Sequence, residues 1–291
     1  MDDAASRSHS KVDEFARLLG IYVQAAQSIQ GKEFSGSEAW VVEAEHLALK
    51  LVYHLASLLY LRPGTRLSIS GTEMHFFDFP SAAVLCRSAF ETYLTFSYIF
   101  ISPCSDDERQ LRHLIWNLGG LFDRQRSAPE TDEACAVLTG ERQQIQDLLK
   151  EIGRNDAFLA LQPKRQKEAR RGQWRFDKGW ADLADMAGKN KKYFASLYAY
   201  LSSHAHSGYL SAMQIGQADD KQTQSALCEP YIGIGLTLLS HFLTDYGTLF
   251  PPVAEAIERN PDDKRLVDLW QAVGDNMGEL YPDEDGSDGS A

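Results

Sequence analysis

The chain has 291 residues and a net charge of −12, with 44% hydrophobic and 24% charged residues. That length can bury a substantial core, and the composition is globular rather than disordered. The acidic balance excludes a protein that coats nucleic acid with its whole surface, while leaving room for a local basic groove.

Cys86, Cys104, Cys135 and Cys228 show no C-x-x-C spacing, so reduced thiols are expected, with neither a disulfide framework nor a zinc site. The start, Met1-Asp2-Asp3, is polar, and the longest apolar stretches are broken by charges such as Lys50, Arg87 and Glu91. A cytoplasmic protein without a membrane span is the expectation.

Helical periodicity dominates the chain. Residues 11–30 place Val12, Phe15, Leu18, Leu19, Tyr22 and Val23 on one stripe,. Ser35-Gly-Ser37-Glu38 signals the start of a long second helix, stopped after Leu61 by Arg62-Pro-Gly,. Residues 63–79 are the place for an irregular or strand-like segment. Asp78-Phe-Pro80 opens a third helix, with proline tolerated in its first turn,. Ser105-Asp-Asp-Glu108 caps a fourth over about 106–126, a fifth spans about 130–152, and a mixed region follows at 153–178. Helical patterns return at 179–188, 190–208 and from Gln222 to about Phe250, where Pro251-Pro252 ends the run. A short helix and a last one near 262–276 close the array. The fold expected is all-α: one bundle-like domain over 1–278 with about eight to ten helices, and a disordered acidic tail at 279–291.

Two stretches put ionisable groups where a packed helix would avoid them. Arg87-Ser-Ala-Phe-Glu91 lies inside the apolar run from Phe79 to Ile101. At 100° per residue Arg87 and Glu91 share one arc of that helix. They form either an ordinary i, i+4 ion pair or an anion clamp, with Arg87 oriented by Glu91. In the second stretch, Tyr198, Ser202 and His206 recur every four residues on one face, and His206 sits at a helix C-terminus. The dipole there favours an imidazolium, and imidazole is the side chain whose ordinary titration range suits acid–base work. His204 points elsewhere, toward the core, so the H-x-H pair does not make a metal site.

The segment 163–178 holds seven Lys/Arg against two acids, with Trp174, Phe176 and Trp180 interleaved. Lys164, Arg165, Lys167, Arg170, Arg171, Trp174 and Arg175 are candidates for nucleic-acid contact through charge and stacking. The common nucleotide, zinc-protease and hydrolase motifs are missing. Glu43-Ala-Glu-His46 has the spacing that di-iron bundles need twice, and it occurs once,. No metal or other cofactor is expected.

R-S-x-x-E followed by an aromatic, W-x-x-x-x-x-W-A-D-L-A, and Y-x-x-L-S-x-x-x-H-S together resemble an uncharacterised family of bacterial all-helical proteins, a domain of unknown function near the HEPN superfamily. The matching positions are Arg87, Glu91, Trp174, Tyr198, Leu201, Ser202, His206 and Ser207, within a resemblance covering about 40–245. It implies a helical protein acting on RNA, a metal-independent ribonuclease of the toxin–antitoxin or anti-phage defence kind. The implied partners are RNA, a second copy of the chain, and an antitoxin or regulatory protein. HEPN nucleases carry an arginine four to six residues before a histidine on one helix. Here nothing basic precedes His206 at that spacing, so Arg87 and His206 would have to meet from different helices. The roles expected are His206 as general acid–base, Arg87 as charge stabiliser and Glu91 as its orienter, with Tyr198 and Ser202 positioning the imidazole or substrate. The alternative is a non-enzymatic binding or regulatory module in which the same residues form a structural network.

Overall fold

Local capping chemistry sets most of the helix ends. The computed structural model describes residues 10–32 and 40–277; the start signal at Ser35–Glu38 and the acidic tail lie outside them. Helix α1 (Lys11–Gln27) begins at Ser10, whose hydroxyl accepts the Asp13 amide at 3.2 Å,. Helix α2 (Trp40–Leu61) follows. Strands β1 (Thr65–Ile69) and β2 (Thr72–Phe76) then pair as an antiparallel hairpin, Thr65 opposite Phe76 and Ile69 opposite Thr72. The two-residue turn requires left-handed backbone at both positions. Ser70 (φ 50°) and Gly71 (φ 79°) supply it.

Helix α3 (Phe79–Phe96) is capped by Asp78, which accepts the Ser81 amide at 3.1 Å, with proline in the first turn. At Ser97–Ile101 it widens into a π turn, closed by the Ser102 amide on the Ser97 carbonyl at 2.8 Å,. Helix α4 (Asp106–Arg124) grips that turn. Its Arg112 donates to the Tyr98 carbonyl at 2.6 Å, and Arg109 donates to the Phe100 carbonyl at 3.2 Å.

Helix α5 (Asp132–Ile152) packs on α4. The mixed region resolves into two short helices, α6 (Asp156–Leu159) and α7 (Pro163–Ala169), joined by turns. Then come α8 (Trp180–Met186), α9 (Lys191–Ala205), α10 (Tyr209–Gln217), α11 (Lys221–Leu249), α12 (Pro251–Glu258) and α13 (Pro261–Asn276). The fold is a single all-α domain apart from the hairpin. The short α6, α7 and α10 bring the described helices to thirteen, more than the eight to ten expected, because turns of four to nine residues carry too little periodicity to stand out in sequence.

Helix α11 is central, packed by α1, α2, α3, α12 and α13. It buries Tyr231, Leu236, Leu239, Phe242 and Tyr246. By length and composition it is also the one described helix that could cross a membrane, yet 61% of that stretch is buried inside the domain. A second, smaller core unites α4 to α7 around Leu114, Ile115, Leu118, Ile145, Ile152 and Phe158. Trp174 packs against both cores. It is carried there by a tight crossing: a Cβ on Gly119 of α4 would stand 2.6 Å from the Gly172 carbonyl oxygen, and Gly172 itself has φ +70°.

Candidate functional site

Helix α3 packs against α8 and α9, and that contact brings the two polar stretches together. The Arg87 guanidinium is the hub. Its Nε donates to Glu91 Oε1 at 3.1 Å, one Nη donates to the Tyr198 hydroxyl at 2.9 Å, and the other lies 2.8 Å from His206 Nε2. Tyr198 donates its own proton to Glu91 Oε1 at 2.7 Å, and the Arg87 guanidinium lies over its ring at 5.1 Å,. Arg87, Glu91, Tyr198 and His206 are therefore one hydrogen-bonded cluster, built from residues 119 positions apart in sequence at its ends.

The chemistry of the donors orders the protons. A guanidinium donates and cannot accept. Its contact with Nε2 thus assigns the imidazole proton to Nδ1 in this arrangement, with Nε2 as the acceptor. Burial pulls the Arg87 pKa down, but the Tyr198 hydroxyl and the Glu91 carboxylate outweigh it and leave it above its ordinary value. The Tyr198 phenol is pushed up by burial and by its bond to Glu91, against an opposing pull from Arg87. Arg87 and Glu91 are mostly enclosed, with 17% and 29% of their side chains exposed. His206 stands at the surface.

The end of α9 explains that placement. His206 follows the last helical residue with φ −112° and ψ 19°, and Ser207 turns left-handed at φ 53°. The imidazole thus leaves the helix and reaches over to α3. Ser202, expected on the same face, is not brought into the cluster; its hydroxyl is buried without a hydrogen-bond partner among the described residues. Each four-residue step rotates about 40° away from the starting face, and Ser202 has no chain ending to correct the drift. His204 is buried, as its position on the opposite face implies, edge-on to the rings of Phe79 and Tyr200. Burial lowers its pKa.

The basic segment adjoins the cluster through a row of rings. Tyr98 and Trp174 have centroids 5.9 Å apart, Trp174 and Trp180 6.4 Å, Trp180 and Tyr198 6.3 Å. Arg175 lies over Trp180 at 4.6 Å and over Trp174 at 5.6 Å. Much of the segment's charge is already engaged. Arg165 donates to Glu168 at 2.6 Å and to the Phe176 carbonyl at 2.7 Å, and Lys164 stands 3.7 Å from both Glu168 and Asp177. Arg170 lies over the Phe158 ring at 5.0 Å. Lys167 and Arg171 are exposed and make no ion pair among the described residues. With Lys178, which likewise makes no ion pair among the described residues, they are the cations left for a partner.

Three residues beside the cluster were not among the expected site residues. Lys50, Trp116 and Trp180 line a cavity of about 160 Å³ together with Glu91. Trp180 had a signal, its place among the aromatics of a basic segment; Lys50 and Trp116 had none. Glu43, half of the E-x-x-H pair, instead faces His113 of α4, Oε2 to Nε2 at 3.6 Å.

Comparison with known proteins is sparse. Searches of curated proteins and of solved structures return no match. One family model matches residues 68–223, more than half of the chain and all of the Arg87 cluster, and its description is "Family of unknown function (DUF5677)". The chain belongs to that family.

Proposed function

We propose that the chain acts on RNA, as a HEPN-like metal-independent ribonuclease of the toxin or phage-defence kind, with Arg87 and His206 as its reacting pair. The observation that carries this is the 2.8 Å contact between them. It sets an imidazole beside a cation at an exposed edge, next to a segment rich in cations and rings. Cleavage of an RNA strand needs a group to take the 2′-hydroxyl proton, a group to protonate the departing 5′-oxygen, and positive charge for the phosphorane.

In the resting arrangement Arg87 occupies His206 Nε2. A phosphodiester oxygen that takes over the Nη donors releases Nε2 to accept the 2′-hydroxyl proton. The 2′-oxygen then bonds to phosphorus, and the bond to the 5′-oxygen breaks. The imidazolium gives its proton to that oxygen, leaving a 2′,3′-cyclic phosphate and a 5′-hydroxyl. Glu91 and Tyr198 act as positioning residues, holding the Nε edge and the second Nη. Lys167 and Arg171 would follow the strand, and Trp174 with Arg175 would offer stacking surface.

One observation favours the competing structural role: every nitrogen of Arg87 already has a partner, as a network that only fixes α3 against α9 would require. Expression of Arg87→Ala, His206→Ala and wild-type chains side by side separates the two. Loss of RNA decay and growth inhibition in both variants, at near wild-type melting temperature for His206→Ala, supports catalysis. Equal RNA decay from all three chains, with lowered melting as the sole effect, supports the structural role and ends the proposal.

A further inference from the structure

The 160 Å³ cavity beside Glu91 falls below the roughly 300–1,000 Å³ of pockets for drug-sized ligands. It suits one planar ring system. Its polar inventory is selective. Glu91 Oε1 is saturated by Arg87 and Tyr198, whereas Oε2 has no hydrogen-bond partner among the described residues. Thr92 and Thr95 spend their protons on their own helix, donating to the carbonyls of Ser88 and Glu91 at 2.7 Å each. Lys50, exposed on α2, makes no ion pair among the described residues. The charged groups with unused capacity are thus one carboxylate oxygen and one ammonium, joined by the Ser88 hydroxyl and the indole N–H groups of Trp116 and Trp180, none of which has a hydrogen-bond partner among the described residues.

The geometry points to a subsite for a single guanine base, resting on the RNA reading of the adjoining Arg87–His206 pair. Guanine carries the complementary edge. Its N1–H and N2–H donors match the free oxygen of Glu91, its O6 acceptor matches Lys50, and its ring faces suit the tryptophans. Uracil and cytosine bring a smaller ring, and adenine offers Glu91 one donor-bearing group where guanine offers two, and Lys50 a ring nitrogen in place of a carbonyl. The discrimination falls on the mostly enclosed Glu91 oxygen, because a polar group left unpaired away from water rejects the wrong ligand strongly, whereas the exposed Lys50 can return to water. Glu91 joins the two halves: it holds Arg87 by one oxygen and lines the base cavity, so base and phosphodiester would belong to neighbouring parts of one strand.

Calorimetric titration with guanosine, adenosine, cytidine and uridine 5′-monophosphates tests the subsite without any cleavage. A parallel arm uses 2′-O-methyl oligonucleotides, which carry the base but cannot react, with and without one guanine. The expected result is at least a tenfold preference for guanine in one or both arms. That margin is lost in Lys50→Ala and in Trp116→Leu, while both variants keep a cooperative melt. A margin with the monophosphate alone identifies a free nucleotide as the ligand; a margin with the oligonucleotide alone identifies RNA. Equal affinity for all four bases in both arms, or a margin untouched by both substitutions, overturns the subsite. RNA cleavage that needs Arg87 and His206 but ignores base identity removes the subsite and leaves the ribonuclease reading standing. A guanine margin with no cleavage does the reverse.

Discussion

Gly119 and Gly120 are neighbours in α4, and alanine should act on them with opposite sign. A Cβ on Gly119 would stand 2.6 Å from the Gly172 carbonyl oxygen, 3.5 Å from its carbon and 3.6 Å from Trp174 Cδ1. Backbone has to move to admit it, and overpacking of this kind costs about 1–3 kcal/mol. Alanine's advantage over glycine inside a helix, about 0.8–1 kcal/mol, matches the low end of that cost and offsets about a third of the high end. Gly119→Ala should destabilise the protein by up to about 2 kcal/mol on these terms. It should also push Trp174 away from α4, loosening the row of rings that leads to Tyr198. A Cβ on Gly120 meets nothing within 4 Å, so Gly120→Ala should gain most of the helix advantage, about 0.5–1 kcal/mol. For a protein of this size each kcal/mol moves the melting temperature by about 2–4 °C. Thermal melts of the two variants should therefore fall on either side of wild type. A Gly119→Ala melt at or above that of Gly120→Ala would refute the close crossing and the docking of Trp174 that depends on it.

Other consequences can be measured separately. In a double-mutant cycle, Arg87→Ala and Tyr198→Phe should couple by about 0.5–3 kcal/mol in urea unfolding, because the phenol bridges Arg87 and Glu91; additive effects would mean the bridge is absent in solution. His241 is held down to about pKa 4 by burial and by Lys189, against a smaller upward pull from Asp275. The Lys189 ammonium lies 2.7 Å from its Nδ1, and Asp275 lies 3.6 Å from Nε2. The unfolded chain takes up this proton near pH 6.5 and the folded chain near 4, so stability should fall as pH drops through that window, by about 3 kcal/mol. His241→Gln should flatten that part of the pH–stability curve, and an unchanged slope would contradict the assignment. Lys167→Ala and Arg171→Ala should each lower the salt slope of RNA binding by about 0.7, while Lys164→Ala, already paired with Glu168 and Asp177, should change it little; equal slopes for all three would remove the exposed cations from the RNA path.

The helices were legible wherever a cap or a long apolar stripe marked them. Asp78 and Ser105 announced α3 and α4, while residues 63–79 read only as irregular or strand-like, and the pairing of two strands there is a finding of the structure. The Arg87 cluster was legible in part, because an arginine and a glutamate are conspicuous in an apolar run, whereas a helix-ending histidine serves equally well to satisfy the last carbonyls of its helix. Ser202 failed the spacing argument because an i, i+4 series drifts around a helix, and His206 joined only by leaving it. Lys164 and Arg165 looked like free cations although Glu168 stands four and three residues on along α7, a spacing that pairs them,; their second partner, Asp177, comes through a turn at φ 63° that no periodicity records. The π turn at Ser97–Ile101 was invisible for a similar reason, being fixed by Arg109 and Arg112 of the next helix. Lys50 and Trp116 lie on α2 and α4, and only the packing of those helices around α3 brings them to Glu91.

A chimeric strand with one ribonucleotide in otherwise DNA sequence probes the pairing of Arg87 with His206 most directly. The wild-type chain should cut at that single position and leave a 2′,3′-cyclic phosphate and a 5′-hydroxyl, with Arg87→Ala and His206→Ala inert. Cutting of an all-DNA strand at the same rate, or equal cutting of the chimera by the His206→Ala chain, would contradict the account.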